Sequence, residues 1–586
     1  MVNITINGKK IQANEGDTIL MAAEENGFHI PTLCHLNLHE QGLNNHPVSC
    51  RVCMVDVKRP NWNSVLLPAC DQTVSEGMDI DIDSKQAINA RRTVVELMLS
   101  DHPQDCLYCA RSTNCELQDL AQLLNIRENR YQGKQNHFGV DATSKSIVKD
   151  LDKCILCRRC ETACSEMQTV NVYSAIHRGF ETIISPAFGN SLQDTPCTFC
   201  GQCVTVCPTA ALTEINNVNN VWDAINDPEK VVVVQTAPAV RVAIAEEFGA
   251  EPGTISTGKM VTALRRTGFD FVFDTNWAAD LTIMEEANEI ISRLNGEGQL
   301  PILTSCCPAW INFIEYQFPN LTDIPSTCKS PHEMFGAITK TYFADKMGIK
   351  PENIVVVSIM PCVAKKYEAA RPELGAEGTS DVDLVLTTRE FAAMCQEAGL
   401  KFMELEDSDF DNPLGQSTGA AQIFGTTGGV LEAALRTAAA WLEDEEPKTL
   451  DYNIVRGLDG IKEAKLTVAG TELKVAAASG LGNARKLLEK IDSGENEYDV
   501  IEIMACPGGC IAGGGQPYTH GNLEVIEKRM QATYQIDSDK TIRESHKNPD
   551  IIKLYEDFLD KPGSHKAHEL LHTHFISRDP NKKIIK

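Results

Sequence analysis

Cysteine is the residue type in this chain most able to do chemistry: there are 22 in 586 residues, and their spacing is ordered. The string CILCRRCETAC at 154–164 recurs as CTFCGQCVTVCP at 197–208. Each copy spells C-x2-C-x2-C-x3-C. Three closely spaced thiolates wrap three corners of an iron–sulfur cube, and the fourth cysteine of each run reaches the other cube. Cys154, Cys157, Cys160 and Cys207 are therefore expected to hold one 4Fe–4S cluster. Cys197, Cys200, Cys203 and Cys164 are expected to hold a second. Structural zinc uses pairs of cysteines rather than triplets, so it fits this repeat poorly.

Upstream, Cys34, Cys50, Cys53 and Cys70 combine a C-x2-C pair with two distant partners. That set suits a 2Fe–2S cluster, with a zinc ribbon as the rival and His35 and His46 as nearby further donors. The segment DHPQDCLYCARSTNC carries Cys106, Cys109 and Cys115 and lacks a fourth cysteine. His102 stands where the missing ligand would be. A histidine ligand raises a cluster's potential relative to four thiolates.

Three more segments carry cysteines far apart: TSCCPAW (304–310), IMPCVAKKYE (359–368) and EIMACPGGCIAGGGQP (502–517). These strings resemble the three signature motifs of FeFe hydrogenases, and the upstream cluster order resembles that family's longer members. The resemblance implies an H-cluster, a 4Fe–4S cube joined through one cysteine to a di-iron unit with CO, CN and dithiolate amine ligands. By that mapping Cys307, Cys362, Cys506 and Cys510 are the cube ligands, with Cys510 the bridge. The expected cofactor set is one 2Fe–2S cluster, three accessory 4Fe–4S clusters and the H-cluster.

Further roles follow from the same resemblance. Cys306 becomes the proton donor facing the amine; its thiol has a reference pKa near neutral, about 8.5. Glu286, Ser326 and Glu289 match a relay, with Arg293 near its surface end. Glu286, Glu289 and Arg293 share one helical face at i, i+3 and i+7; on their own they would read as a solvated ion-pair face. Lys365 matches the residue that hydrogen-bonds a cyanide, and the backbone of Ala237 and Pro238 the segment that does likewise. Met360 and Met504 match apolar packing around the cofactor. Three positions depart from the pattern: Val363 and Ala364 stand where ferredoxin-linked members carry hydroxyls, and His332 where they carry glutamine. Cys328 and Cys395 gain no role and read as buried structural thiols.

The elements that must position these groups are partly visible. Ile4, Ile6 and Ile11 alternate around an Asn7-Gly8 turn, a hairpin signal, and Thr18–Asn26 reads as a helix. Residues 131–147 are polar and read as a linker. After residue 230, apolar strands at Val231–Val234, Phe271–Phe273, Ile354–Ile359 and Val382–Leu386 alternate with helical segments such as Leu281–Leu294, an α/β pattern with parallel sheet. The expected architecture is multidomain α/β. It comprises an N-terminal β-grasp 2Fe–2S domain (1–80), a His/Cys3 cluster domain (81–130), a two-cluster ferredoxin-like domain (145–215), a large α/β H-cluster domain (225–520) and a helical C-terminal segment (525–586) resembling the small subunit.

A net charge of -27 argues against nucleic acid or an anionic membrane as partner. No membrane-length apolar run and no secretory pattern at the N-terminus appear, so the cytoplasm is the expected compartment. There reduced thiols bind metal instead of pairing. The expected substrates are H2 and protons. CRVCMVDV (50–57) through NCELQDLA (114–121) is similar to the iron–sulfur subunit of respiratory complex I and to multimeric NAD-linked hydrogenases. No GxGxxG fingerprint occurs, so NAD chemistry would need flavin- and NAD-binding and small iron–sulfur partner subunits. The leading expectation is an electron-bifurcating complex coupling hydrogen to NAD and ferredoxin. The alternatives are a stand-alone ferredoxin-dependent hydrogenase and, from another class, a hydrogenase-like assembly or sensory protein.

Overall fold

A computed structural model describes residues 1–578 apart from 38–43, 46–47, 61, 376–378, 444–449 and 469. It divides into two compact units: residues 1–166, 171–195 and 206–213, and residues 167–170, 196–205 and 214–586.

The first unit opens on the expected hairpin. Val2–Ile6 pairs antiparallel with Lys9–Ala13, and both turn residues adopt positive φ (Asn7 48°, Gly8 78°), the twist a two-residue hairpin needs. Asp79–Asp81, Met54–Lys58 and Val65–Pro68 extend this to a five-stranded mixed sheet. The Thr18 hydroxyl caps helix Ile19–Glu25 by accepting from Met21 N, and the helix buries Ile19, Leu20, Ala22 and Ala23 against the sheet. Part of the stretch expected to be a linker is built into structure. Val140–Asp141 pairs antiparallel with Ile147–Asp150, two residues before Asp152 and the cysteine run.

The second unit holds two four-stranded sheets. In one, Phe271–Asp274, Val231–Thr236, Ile354–Met360 and Leu384–Thr387 run parallel in that order. Their β-branched runs are buried, as parallel strands covered on both faces require. In the other, Ile302–Thr304, Val500–Met504 and Thr471–Ser479 run parallel, and Ile461–Val468 closes the edge as an antiparallel hairpin. The sequence signals anticipated the first sheet but not the second. Its strand at 302–304 is too short for periodicity to register.

Helix Thr275–Ser292 starts six residues before the expected Leu281, because Asp274 ends its strand and caps the helix by accepting from Asn276 N. It is buried nearly all round, including Asp280, Glu285 and Glu286. Downstream lie helices Leu523–Asp539, Pro549–Leu554 and His565–Leu571. After the last of these, Cys328 and His572 form an isolated antiparallel bridge. No helix among the described residues is long and apolar enough to cross a membrane.

Candidate active site

Four parallel strands deliver the site. Thr236 hands over to Ala237 and Pro238, Thr304 to Cys306 and Cys307, Met360 to Cys362, and Met504 to Cys506. Open parallel sheets bind ligands at these carboxyl ends, where chains leave the sheet and backbone groups are free. Here two sheets do so together, around one chamber.

Cys307, Cys362, Cys506 and Cys510 all line that chamber, as does Cys306. Their charges act on one another: Cys307 and Cys362 both push up the Cys506 thiol, after burial, which comes first. Burial likewise pushes the Cys362 thiol up to about 12. A buried cluster of thiols that resist ionisation is suited to a metal centre, whose positive charge is what stabilises them as thiolates. Cys306 and Cys510 are hydrogen-bonded to each other. Most of the remaining wall is apolar, including Met360, Met504, Pro238 and Phe424, with Thr275, His332 and Lys365 among it. Close backbone approach shapes the floor: Gly509 has φ of 95°, and a Cβ there would lie 2.6 Å from Thr427 N. The donor set, the apolar wall and the glycine loop fit a sulfur-rich cluster with a bulky apolar-facing extension.

One cation faces this chamber from a buried position. Lys365 Nζ donates to Glu368 Oε2 (2.6 Å), Ser330 Oγ (2.8 Å) and the Cys306 carbonyl (3.1 Å). Burial alone would lower its pKa, but the Glu368 and Cys306 charges carry it up to about 12. Glu368 is held by Lys365 and by His332, whose Nδ1 lies 2.9 Å away while its Nε2 meets Ser358 at 2.7 Å. Sequence reading missed the Glu368–His332 support, although Glu368 ends a signature segment and His332 stands out as a departure from the pattern.

The relay candidates sit within the same unit. Glu286 is 3 % exposed and accepts from Thr304 Oγ1 at 2.5 Å, two residues before Cys306. Burial pushes its pKa up to about 7; the Thr304 bond opposes this, and the Glu289 charge adds to it. Ser326 Oγ donates to Glu289 Oε2 at 2.9 Å. Arg293 is 8 % exposed and donates to Glu289 (2.5 Å), the Ile324 carbonyl (2.7 Å) and the Pro325 carbonyl (3.0 Å), so the helical face it shares is not a solvated ion-pair face. Cys395 is fully buried in the core, and Cys328, half-buried against the same core, lies 3.8 Å from Glu289 Oε2.

Parts of the accessory sets also come together. Cys34, Cys50, Cys53 and Cys70 are buried, and Cys34–Cys50, Cys34–Cys70 and Cys53–Cys70 hydrogen-bond one another. His46 lies outside the described residues. His102 lines a pocket with Cys106, Cys109 and Cys115, and its Nδ1 is buried with no hydrogen-bond partner. An orphaned ring nitrogen among three cysteines is what a cluster ligand looks like without its metal. Cys207 acts electrostatically on Cys154 and Cys157, bringing the distant fourth cysteine to the first run. Cys164 belongs to the first unit, and Cys197, Cys200 and Cys203 to the second. Within the second, Cys200 acts on Cys506, and a Cβ on Gly514 would lie 2.9 Å from the Cys200 carbonyl oxygen. The second run is thus packed on the loop between Cys506 and Gln516, a contact between segments remote in the chain that no local pattern signals.

Residues 230–514 match the C-terminal domain of the iron-only hydrogenase large subunit, and 523–578 the iron hydrogenase small subunit. Residues 1–85 match a 2Fe-2S iron-sulfur cluster binding domain, 91–130 an NADH-ubiquinone oxidoreductase-G iron-sulfur binding region, and 153–211 a 4Fe-4S dicluster domain. The chain is 55% identical over 586 residues to the NADP-reducing hydrogenase subunit HndD of Solidesulfovibrio fructosivorans, covering 99% of each chain. It is 40% identical over 577 residues to Iron hydrogenase 1 of Clostridium pasteurianum, covering 98% of this chain and 99% of that one. Among solved structures, a variant of the [FeFe]-hydrogenase HydA1 from Chlamydomonas reinhardtii is similar at a TM-score of 0.57 and 42% identity, over 62% of this chain and all of that one (100%).

Proposed function

Because the chain belongs to the FeFe hydrogenase family, we propose that it is the catalytic subunit of a cytoplasmic, electron-bifurcating complex that couples H2 to NAD(P) and ferredoxin. The subunit interconverts H2 with protons and electrons, and carries an H-cluster, a 2Fe–2S cluster and accessory 4Fe–4S clusters. When bound, the H-cluster supplies the iron site where hydrogen is made or split and the amine that holds one proton. The observation that carries the site assignment is the convergence of Cys307, Cys362, Cys506 and Cys510 on one chamber, with a fifth thiol, Cys306, beside them.

In this reading the four thiolates would hold the cube, and Cys306 Sγ would hold and move a proton beside it. The Glu286 carboxyl, with a pKa near neutrality, accepts and releases protons without a large free-energy step. Ser326 Oγ and Glu289 Oε2 take the proton onward, and Arg293 holds Glu289 in place. Lys365, braced by Glu368, would donate to a cyanide ligand of the cluster. Ala237 and Pro238 add backbone contacts, while Met360 and Met504 exclude water. Electrons enter or leave through the cubes of the two cysteine runs, the His102 cluster and the 2Fe–2S cluster. The five segments proposed as domains, 1–80, 81–130, 145–215, 225–520 and 525–586, follow this division of labour.

The complex is supported by similarity over 99% of the chain to an NADP-reducing hydrogenase subunit. No nucleotide fingerprint stands in this sequence, so flavin and NAD(P) chemistry falls to partner subunits. Native purification with a flavin assay tests this. Co-purifying flavin with H2-dependent NAD(P) reduction that requires ferredoxin is the expected result. A flavin-free monomer with full ferredoxin-linked turnover would replace the complex by the stand-alone enzyme.

A further inference from the structure

Beside the relay stands a donor set that the reaction does not use as a set. Glu289, Cys328 and His572 each offer one ligand atom, and these atoms lie within 4.8 Å of one another. Their backbones are fixed: Cys328 and His572 face each other in an antiparallel bridge, and Thr573 N donates to the Thr327 carbonyl at 2.8 Å. Glu289 is on the long buried helix.

The histidine is braced as a metal ligand is braced. His572 Nε2 lies 3.1 Å from Glu285 Oε2. Glu285 is itself held by the Tyr555 hydroxyl (2.5 Å) and Gly563 N (2.8 Å). A carboxylate at Nε2 assigns the proton to that nitrogen and leaves the Nδ1 lone pair free. Nδ1 lies 2.8 Å from the Thr327 hydroxyl, which also lies 3.2 Å from Glu289 Oε2. Charge points the same way. Glu285, Glu286 and Glu289 all act on Cys328, and Arg293 is bonded to Glu289 alone of the three.

We propose that Glu289, Cys328 and His572 form a site for a zinc-type divalent cation, whose occupancy closes the proton route at Glu289. This rests on the relay reading above. Mixed sulfur, nitrogen and oxygen donors select zinc-like ions over magnesium or calcium, which take oxygen alone. On binding, the Cys328 thiol releases its proton to solvent, Nδ1 exchanges the Thr327 hydroxyl for the metal, and a water completes the fourth position. Zinc bond lengths of about 2.0–2.3 Å place ligand atoms roughly 3.3–3.8 Å apart, within reach of side-chain rotation from the present spacing.

The test adds Zn2+ alone to active holoenzyme in chelator-free buffer, with zinc-edge X-ray absorption and H2 turnover read together. A single equivalent of zinc is expected, with one sulfur at about 2.3 Å and nitrogen and oxygen at about 2.0–2.2 Å. Turnover falls and returns on chelation, with the CO and CN infrared bands unchanged. Cys328→Ser and His572→Gln each bind zinc at least about tenfold more weakly, and Glu285→Gln, acting through His572, about tenfold. Zinc uptake without a sulfur ligand, or equal uptake by Cys328→Ser and His572→Gln, overturns the site. Zinc bound as expected while turnover persists upholds the site and overturns Glu289 as the proton route.

Discussion

The two units gather metal-binding residues in opposite ways. In the first, the residues that meet are mostly close in the chain: Cys106 with Cys109 and Cys115, and Cys154 with Cys157. Closing such short loops costs little entropy, and bound metal supplies stability that a small core lacks. In the second, Cys307, Cys362 and Cys506 each follow a different buried strand. Two sheets with their own core hold those strand ends before any cofactor arrives. The first unit is organised by its ligands; the second organises them. It can therefore also place groups that bind no cluster, such as Cys306, Glu286 and Lys365.

That difference can be broken most sharply at Cys306. Cys306→Ala should leave iron content and the CO and CN infrared bands unchanged, yet lower turnover by roughly 10²–10⁴-fold. Turnover close to wild type would mean that the second unit, like the first, works through ligands alone.

Glu286→Gln should follow with a loss of about a hundredfold. It also carries a pH signature. Burial raises the folded-state pKa from 4.5 to about 7, so the protonated form stabilises the fold. That contribution is complete below 4.5 and lost as pH rises through about 7, amounting to the order of 3 kcal/mol. Thermal midpoints measured across this window should therefore fall less steeply in Glu286→Gln than in the wild type. Equal slopes would show that Glu286 keeps an ordinary carboxyl pKa.

The smallest effect belongs to the first unit. His102→Cys should keep the iron count and shift one cluster's potential negative by on the order of 100 mV, read by redox titration with EPR. Turnover should change only a few-fold, because no step of bond making occurs there. A potential that stays put would show that His102 is not a ligand.

The legibility of the chain follows the same division. The cysteine repeat, the hairpin at Asn7-Gly8 and the strands at 231–236 and 354–360 were readable because spacing, turn chemistry and β-branched runs are local signals. Thr304 beneath Glu286, Glu368 and His332 behind Lys365, and the seat of Cys200 on the Gly514 loop were not. Each is a contact between segments remote in sequence, and no residue announces it alone. Arg293 shows the limit clearly: i, i+3, i+7 spacing put it on the right face, but that face is buried under the Ile324–Pro325 loop instead of open to water.

The amino-acid sequence by itself determined which atoms are available: how many thiols, in what local groupings, and a histidine where a cysteine is missing. Those are properties of covalent order, and iron–sulfur chemistry reads them directly. Only the tertiary structure decided which remote thiols share a chamber, which carboxyl is dry enough to titrate near neutrality, and that Cys328 and His572 meet at Glu289. Burial and long-range pairing are set by the packing of two sheets and a helix, and a one-dimensional pattern does not contain them.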